Sequence, residues 1–230
     1  MALDRGAPNW KNDRPVILMT AWLAAVVLRG KTKEEVVTEF RNAEILEAAR
    51  KVFAAKGYAE ASVEAIARAA GLAKGTLYLY YPSKKEIYWA ALRSGLGGLA
   101  REIRRRVSAA DTIEAKIRAF MHTKIAYFER NRDFFRIYYA EAGNVVRHPA
   151  YSHEHFQDLY LQQMQVLESA LRQAVRDRAI RRIDARAAAF AILDVTRGAV
   201  LQRLLGWTKT GVHEDVSTLF DLIWKGLAGR

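Results

Sequence analysis

Cysteine is absent from the 230-residue chain. That excludes disulfides, thiolate metal sites and cysteine nucleophiles together. Proline is scarce: four occur, and none lies between Pro15 and Pro82 or between Pro82 and Pro149. Long proline-free stretches rich in Ala, Leu, Arg and Glu read as helix rather than sheet. No segment shows convincing period-two alternation, and no internal repeat stands out. Val16–Leu28, apolar except for Thr20 and flanked by Arg14 and Arg29, is shorter than the ~18–20 residues of a spanning helix. It has the length of a signal-peptide core, but Arg29-Gly30-Lys31 follows where small residues would mark a cleavage site. Residues 1–35 are expected to be an N-terminal extension that docks on the body or is partly disordered. A natural start at Met19 is the alternative.

The chain has little acid for its base. Lys and Arg number 37 against 25 Asp and Glu, a net charge of +12. The excess is spread along the chain and suits an anionic partner, nucleic acid or a membrane surface, without choosing between them. With 51% hydrophobic and 27% charged residues, the composition is that of a soluble protein with a real core.

Local signals divide the chain into helices. Thr32-x-x-Glu35 is a capping box, and Gly57 is placed to end the helix it opens. Ser62 caps a short helix that Gly71 ends. Residues 73–81 read as another, stopped by Pro82, and Ser83-x-x-Glu86 is a second capping box opening a fourth. Gly95, Gly97 and Gly98 interrupt that fourth helix and predict a bend. Further helices are expected from Asp111 to about Arg130, over 133–142 closed by Gly143, from Ser152 to about Arg178, from Asp184 to Leu205, and from His213 to Leu227. Residues 144–151 read as a loop.

The pair of short helices joined by a glycine turn is a helix-turn-helix. A major groove about 12 Å wide admits one α-helix, braced by the helix before it. In the second helix, Leu72, Leu77 and Tyr81 are spaced to face Ile66 and Phe53. Lys74, Gly75, Thr76, Tyr78 and Tyr80 are left for the outer face, where amines, hydroxyls and a bare backbone suit phosphates and base edges.

Residues about 40–90 resemble the DNA-binding domain of the tetracycline-repressor (TetR/AcrR) family of bacterial transcription regulators. The resemblance rests on Ile45-Leu46-x-Ala48-Ala49-x-x-x-Phe53-x-x-x-Gly57-Tyr58, Ser62-Val63-x-x-Ile66-Ala67-x-x-Ala70-Gly71 and Lys74-Gly75-Thr76-Leu77-Tyr78-x-Tyr80-Tyr81-x-Ser83-Lys84. It implies that Ser62 binds phosphate, that Lys74, Gly75 and Tyr78 approach base edges, and that Thr76, Tyr80 and Lys84 hold phosphates. Glu64 stands where some members place a base-reading arginine; it would accept from a cytosine amino group or stay clear of DNA. The implied fold is all-α: residues 36–88 a helix-turn-helix DNA-binding domain, and 89–230 a helical effector-binding and dimerisation domain.

The remainder supports that organisation. Phe190, Leu193, Arg197, Val200, Leu201 and Leu204 form one side of one helix. Leu219, Phe220, Ile223, Trp224 and Leu227 form one side of the last, and pairing both with a second copy would make a four-helix homodimer interface. The middle helices concentrate aromatic residues with a few polar ones among them, the makeup of a pocket for a flat or greasy molecule. The candidate ligand contacts are Tyr127, Phe128, Tyr138, Glu141, Tyr160 and Met164. Gly95-x-Gly97-x-x-Ala100 lacks the strand a dinucleotide fingerprint needs. His148, His153 and His155 are poorly spaced for a metal, and Arg101, Arg104, Arg105 and Arg106 suit a solvated helix end. The reading is a cytoplasmic, ligand-responsive repressor, homodimeric on a palindromic DNA operator and released by a small-molecule effector. No catalytic residue, cofactor, metal or membrane partner is expected. The alternative is a helical small-molecule- or lipid-binding protein, or an enzyme, whose helix-turn-helix is only structural.

Overall fold

The computed structural model describes residues 32–147 and 154–227, with side chains for 32–140 and 161–227. The described residues form helices without a strand: α1 (Lys33–Glu60), α2 (Val63–Ala69), α3 (Lys74–Tyr80), α4 (Lys84–Ser108), α5 (Ile113–Arg130), α6 (Arg132–Arg147), α7 (Glu154–Arg176), α8 (Ala185–Leu204) and α9 (Val212–Leu227). Val16–Leu28, Met19, His148 and His153 lie outside the described residues, and the side chain of His155 is not described. No helix among the described residues is long and apolar enough to cross a membrane.

Chain-local chemistry sets most boundaries. Thr32 and Glu35 exchange both bonds of the capping box, Thr32 N donating to Glu35 Oε2 at 2.7 Å and Glu35 N to Thr32 Oγ1 at 3.2 Å. Of the second box, the Ser83 half forms, its Oγ accepting from Glu86 N at 3.1 Å. Gly57, Gly71 and Gly206 all have φ near +70° (73°, 67° and 73°) and mark the stops expected of them. At Gly57 this breaks α1 into a long helix and a final turn.

Three expectations are corrected. Helix α5 starts at Ile113 and not at Asp111, behind the cap Thr112, whose Oγ1 accepts from Ala115 N at 3.2 Å. The sixth helix runs through Gly143 to Arg147, so the expected loop is at least four residues shorter. A single glycine costs a helix ~1 kcal/mol and stops it only when it takes a positive φ. Finally, α4 runs unbroken past Gly95, Gly97 and Gly98, none of which has a positive φ. Two of these glycines make room for neighbours. A Cβ on Gly95 would lie 2.3 Å from the Phe134 ring, and one on Gly98 would lie 2.7 Å from Tyr127 Oη.

The core is continuous from Ile45 in α1 to Leu227 in α9. Helix α4 is its axis. It packs on α1 at one end and on α5 and α7 along its length, while α5 also packs on α8 and α9, and α1 reaches α6. Because α4 carries on through residue 88, the helix-turn-helix and the body share an element.

Candidate nucleic-acid interface

The second short helix is held by one buried residue. Leu77 is fully buried with Ile66, Ile45 and Phe53, and Leu72 and Tyr81 pack beside them half-buried. Burial raises the Tyr81 phenol above its ordinary value. With Leu77 inward, the helical period turns Lys74, Gly75 and Tyr78 outward, and all three are exposed. Thr76 is half-buried, and Tyr80 packs its ring on the core. Leu79, absent from the sequence-derived set, is 85% exposed. Its signal was legible: a leucine off the Leu72–Leu77–Tyr81 stripe has no inward position to occupy.

Gly75 has open space around it; a Cβ built there meets nothing within 4 Å. Packing within the protomer therefore does not call for glycine at this position.

Electrostatics tie the outer face together. Lys74 Nζ pairs with the Glu64 carboxylate of α2 and lies 5.8 Å from the centre of the Tyr78 ring. Hydrogen bonding from Lys74 holds the Glu64 carboxyl below its ordinary value, with a smaller contribution from Ser62, and Glu64 in turn raises the Lys74 ammonium. Ser62 Oγ also accepts from Ala65 N at 3.1 Å as the cap of α2. Glu64 thus gathers two of the donors expected to meet DNA.

Lys84 is placed otherwise than expected. Its ammonium donates to the carbonyls of Tyr58, Ala59 and Ala61 at 2.8, 3.2 and 2.9 Å, and sits 4.6 Å from the Tyr58 ring centre. Three acceptors match its three protons. These are carbonyls at the end of α1 that the helix itself leaves free. Lys84 binds α1 to the start of α4 and has no proton left for phosphate.

In the body, Phe128, Tyr138 and Met164 are buried. Phe128 stacks on Phe134 with centroids 5.7 Å apart and meets Phe135 edge-on. Tyr127 is half-buried and donates its hydroxyl to Gly95 O at 2.8 Å, tying α5 to α4. Burial raises its phenol. The side chains of Glu141 and Tyr160 lie outside those described. Sequence reasoning missed Lys124, which is 2% exposed and donates to the buried Gln163 Oε1 at 2.8 Å. The signal was present, since Ile117, Phe120, Met121, Lys124 and Phe128 share one helical stripe.

On the terminal helices, Leu193, Val200, Phe220 and Leu227 turn into the protomer's own core. Val195 (38% exposed), Leu205 (50%), Trp207 (72%) and Leu222 (71%) are the large apolar side chains that remain outside on or beside α8 and α9.

These features define an all-α helix-turn-helix protein with a helical body. A family profile described as "Bacterial regulatory proteins, tetR family" matches residues 45–91. The chain is 28% identical over 197 residues to the nucleoid occlusion factor SlmA of Vibrio campbellii, covering 83% of this chain and 95% of that one. It is 29% identical over 97 residues to the HTH-type transcriptional activator FasR of Mycolicibacterium smegmatis, covering 42% of this chain and 44% of the relative. Several curated relatives are matched over only about two fifths of their length (40%, 44% and 38%). The crystal structure of the transcriptional regulator FadR from Bacillus subtilis in complex with stearoyl-CoA superimposes with a TM-score of 0.66 at 18% identity, covering 80% of this chain and 98% of that one. Residues 45–91 thus match the DNA-binding domain of the TetR family of transcriptional regulators.

Proposed function

We propose that this protein is a cytoplasmic transcriptional repressor that binds a palindromic operator as a homodimer and leaves it when a small apolar or aromatic effector enters the body. The observation that carries the reading is the outer face of α3. Leu77 fixes the helix, and Lys74, the open backbone at Gly75 and Tyr78 stand out from it. Lys74 and Tyr78 offer donors to base edges, Gly75 admits the duplex closely, and Leu79 offers an apolar contact to a thymine methyl. Ser62, Thr76 and the Tyr80 hydroxyl take phosphates. Glu64 keeps Lys74 and Ser62 in place until DNA competes for them.

The dimer follows from Val195, Leu205, Trp207 and Leu222, apolar groups that a second copy would cover. It sets two recognition helices about 34 Å apart, one duplex turn. Transmission runs through α4. Lys84 anchors it to α1 and Tyr127 ties it to the body, so it acts as a continuous rod and not as a hinge. Effector and DNA then weaken each other's binding reciprocally. FadR, whose structure holds stearoyl-CoA, supports an apolar effector for this fold. Residues 36–88 and 89–230 are the corresponding functional units.

The test is selection of an operator from random duplexes, followed by binding at graded salt. Affinity should fall linearly on a log–log plot against salt. Tyr78→Ala should lose sequence preference with an unchanged circular dichroism spectrum. No preference for any duplex at low salt refutes the reading.

A further inference from the structure

We propose that the body holds a site for an apolar molecule bearing one carboxylate, and that Lys124 receives that carboxylate. This deepens the effector reading above and rests on it.

Lys124 projects from the apolar stripe of α5 into the core. Among the described residues its ammonium has one hydrogen-bond acceptor, the neutral amide oxygen of Gln163 on α7. The Phe128 ring lies 5.6 Å away. No carboxylate among the described residues is within ion-pair distance of it. Asp194 on α8 acts on it from farther off but is bonded to Arg197 at 3.0 Å, and the Arg197 charge opposes that of Lys124.

Such an arrangement is poor for stability. A buried charge with one neutral partner loses most of its hydration, and an apolar side chain of similar size would fill the space at lower cost. An ammonium has three protons to donate, and one is placed among the described residues. A carboxylate supplies acceptor oxygens and the missing opposite charge together, in surroundings of low polarity where the pair attracts strongly. The Phe128 ring beside the ammonium, Tyr138 packed on Phe128, and Met164, next to Gln163 in the chain, are all buried and would offer the rest of the molecule apolar contacts. A single lysine among such residues fits one negative charge on a fatty or aromatic skeleton, and not a small hydrophilic polyanion.

The protonation state agrees with the geometry. Burial first, and then Arg197, push the Lys124 ammonium down from 10.5 to about 7. A bound carboxylate favours the charged form and draws the value back up, so binding at pH 8 takes up close to one proton.

The experiment is calorimetric titration of the intact protein at pH 8 with octanoate, dodecanoate and 2-naphthoate and with the alcohol matching each. Two buffers of different ionisation enthalpy report the protons exchanged. At least one carboxylate should bind roughly tenfold or more tightly than its alcohol, with uptake of about 0.9 proton. Lys124→Met, shown folded by circular dichroism and operator binding, should lose both the preference and the uptake. The proton count on the unaltered protein stands even if the variant does not fold. Equal binding of acids and alcohols, binding of none of the six, or a preference that survives Lys124→Met overturns the proposal. A carboxylate that binds with this signature without releasing DNA upholds the site and refutes the release mechanism instead.

Discussion

The burial of Lys124 makes a quantitative demand on stability. In the unfolded chain the side chain titrates at its ordinary value of 10.5, and in the folded chain at about 7. Between those values the unfolded state binds the extra proton, so stability rises as the pH rises. The sign is the reverse of that for a lysine that gains an ion-pair partner on folding. At about 1.4 kcal/mol per pH unit, the shift costs the folded state about 4 kcal/mol at pH 7 and about 2 kcal/mol at pH 9. Lys124→Met removes this cost. It also leaves Gln163 Oε1 without its lysine donor, a penalty of about 1–3 kcal/mol that does not depend on pH. The informative quantity is therefore the difference between variant and wild type as a function of pH. Urea unfolding of both at one protein concentration, at pH 7, 8 and 9, should show that the variant's relative advantage shrinks by about 2 kcal/mol across the range. A constant difference would mean that Lys124 is not held in an unfavourable charged environment, and the carboxylate site would lose its physical basis.

Other consequences are sharper at single positions. Gly97→Ala meets only the Arg101 guanidinium, at 3.4 Å, and should raise stability by up to ~1 kcal/mol in thermal or urea unfolding. Gly95→Ala runs into the Phe134 ring and should lower it by about 1–3 kcal/mol despite the same gain in helix propensity. A gain from both would show that the α4–α6 packing is looser than described. Lys84→Met removes three hydrogen bonds, of which the one to Ala61 O is part-buried, and should destabilise the protein by about 1–2 kcal/mol; an unchanged unfolding midpoint combined with weakened DNA binding would return Lys84 to the phosphate-binding set. Glu64→Gln frees Lys74 from its partner and removes a negative charge from the interface. It should tighten binding to non-specific duplex, with a salt slope steeper by about one ion; weaker binding to duplexes with cytosine at one operator position alone would instead make Glu64 a base reader.

The sequence by itself determined whatever depends on neighbours within a turn or two. Thr32, Ser62 and Asp184 cap their helices because each needs only a backbone amide two or three residues on. Gly57, Gly71 and Gly206 stop helices because a positive φ is a property of one residue. The helix-turn-helix was legible for the same reason, since its spacing and its outward residues follow from the 3.6-residue period around Leu77.

Tertiary structure alone decided where groups distant in sequence meet. Lys84 reads as a phosphate donor until the end of α1 is placed beside it with three free carbonyls. The glycines of α4 read as a hinge until Phe134 and Tyr127 are seen to occupy the space that side chains would need. Lys124 lies in an apolar stripe that the sequence displays, but that its described neighbours are an amide from α7 and, farther off, a carboxylate of α8 already taken by arginine is a matter of packing. Backbone torsions and helical periodicity are short-range and travel with the chain; desolvation and steric exclusion belong to the packed assembly of helices, and they settle what a charged or missing side chain is for.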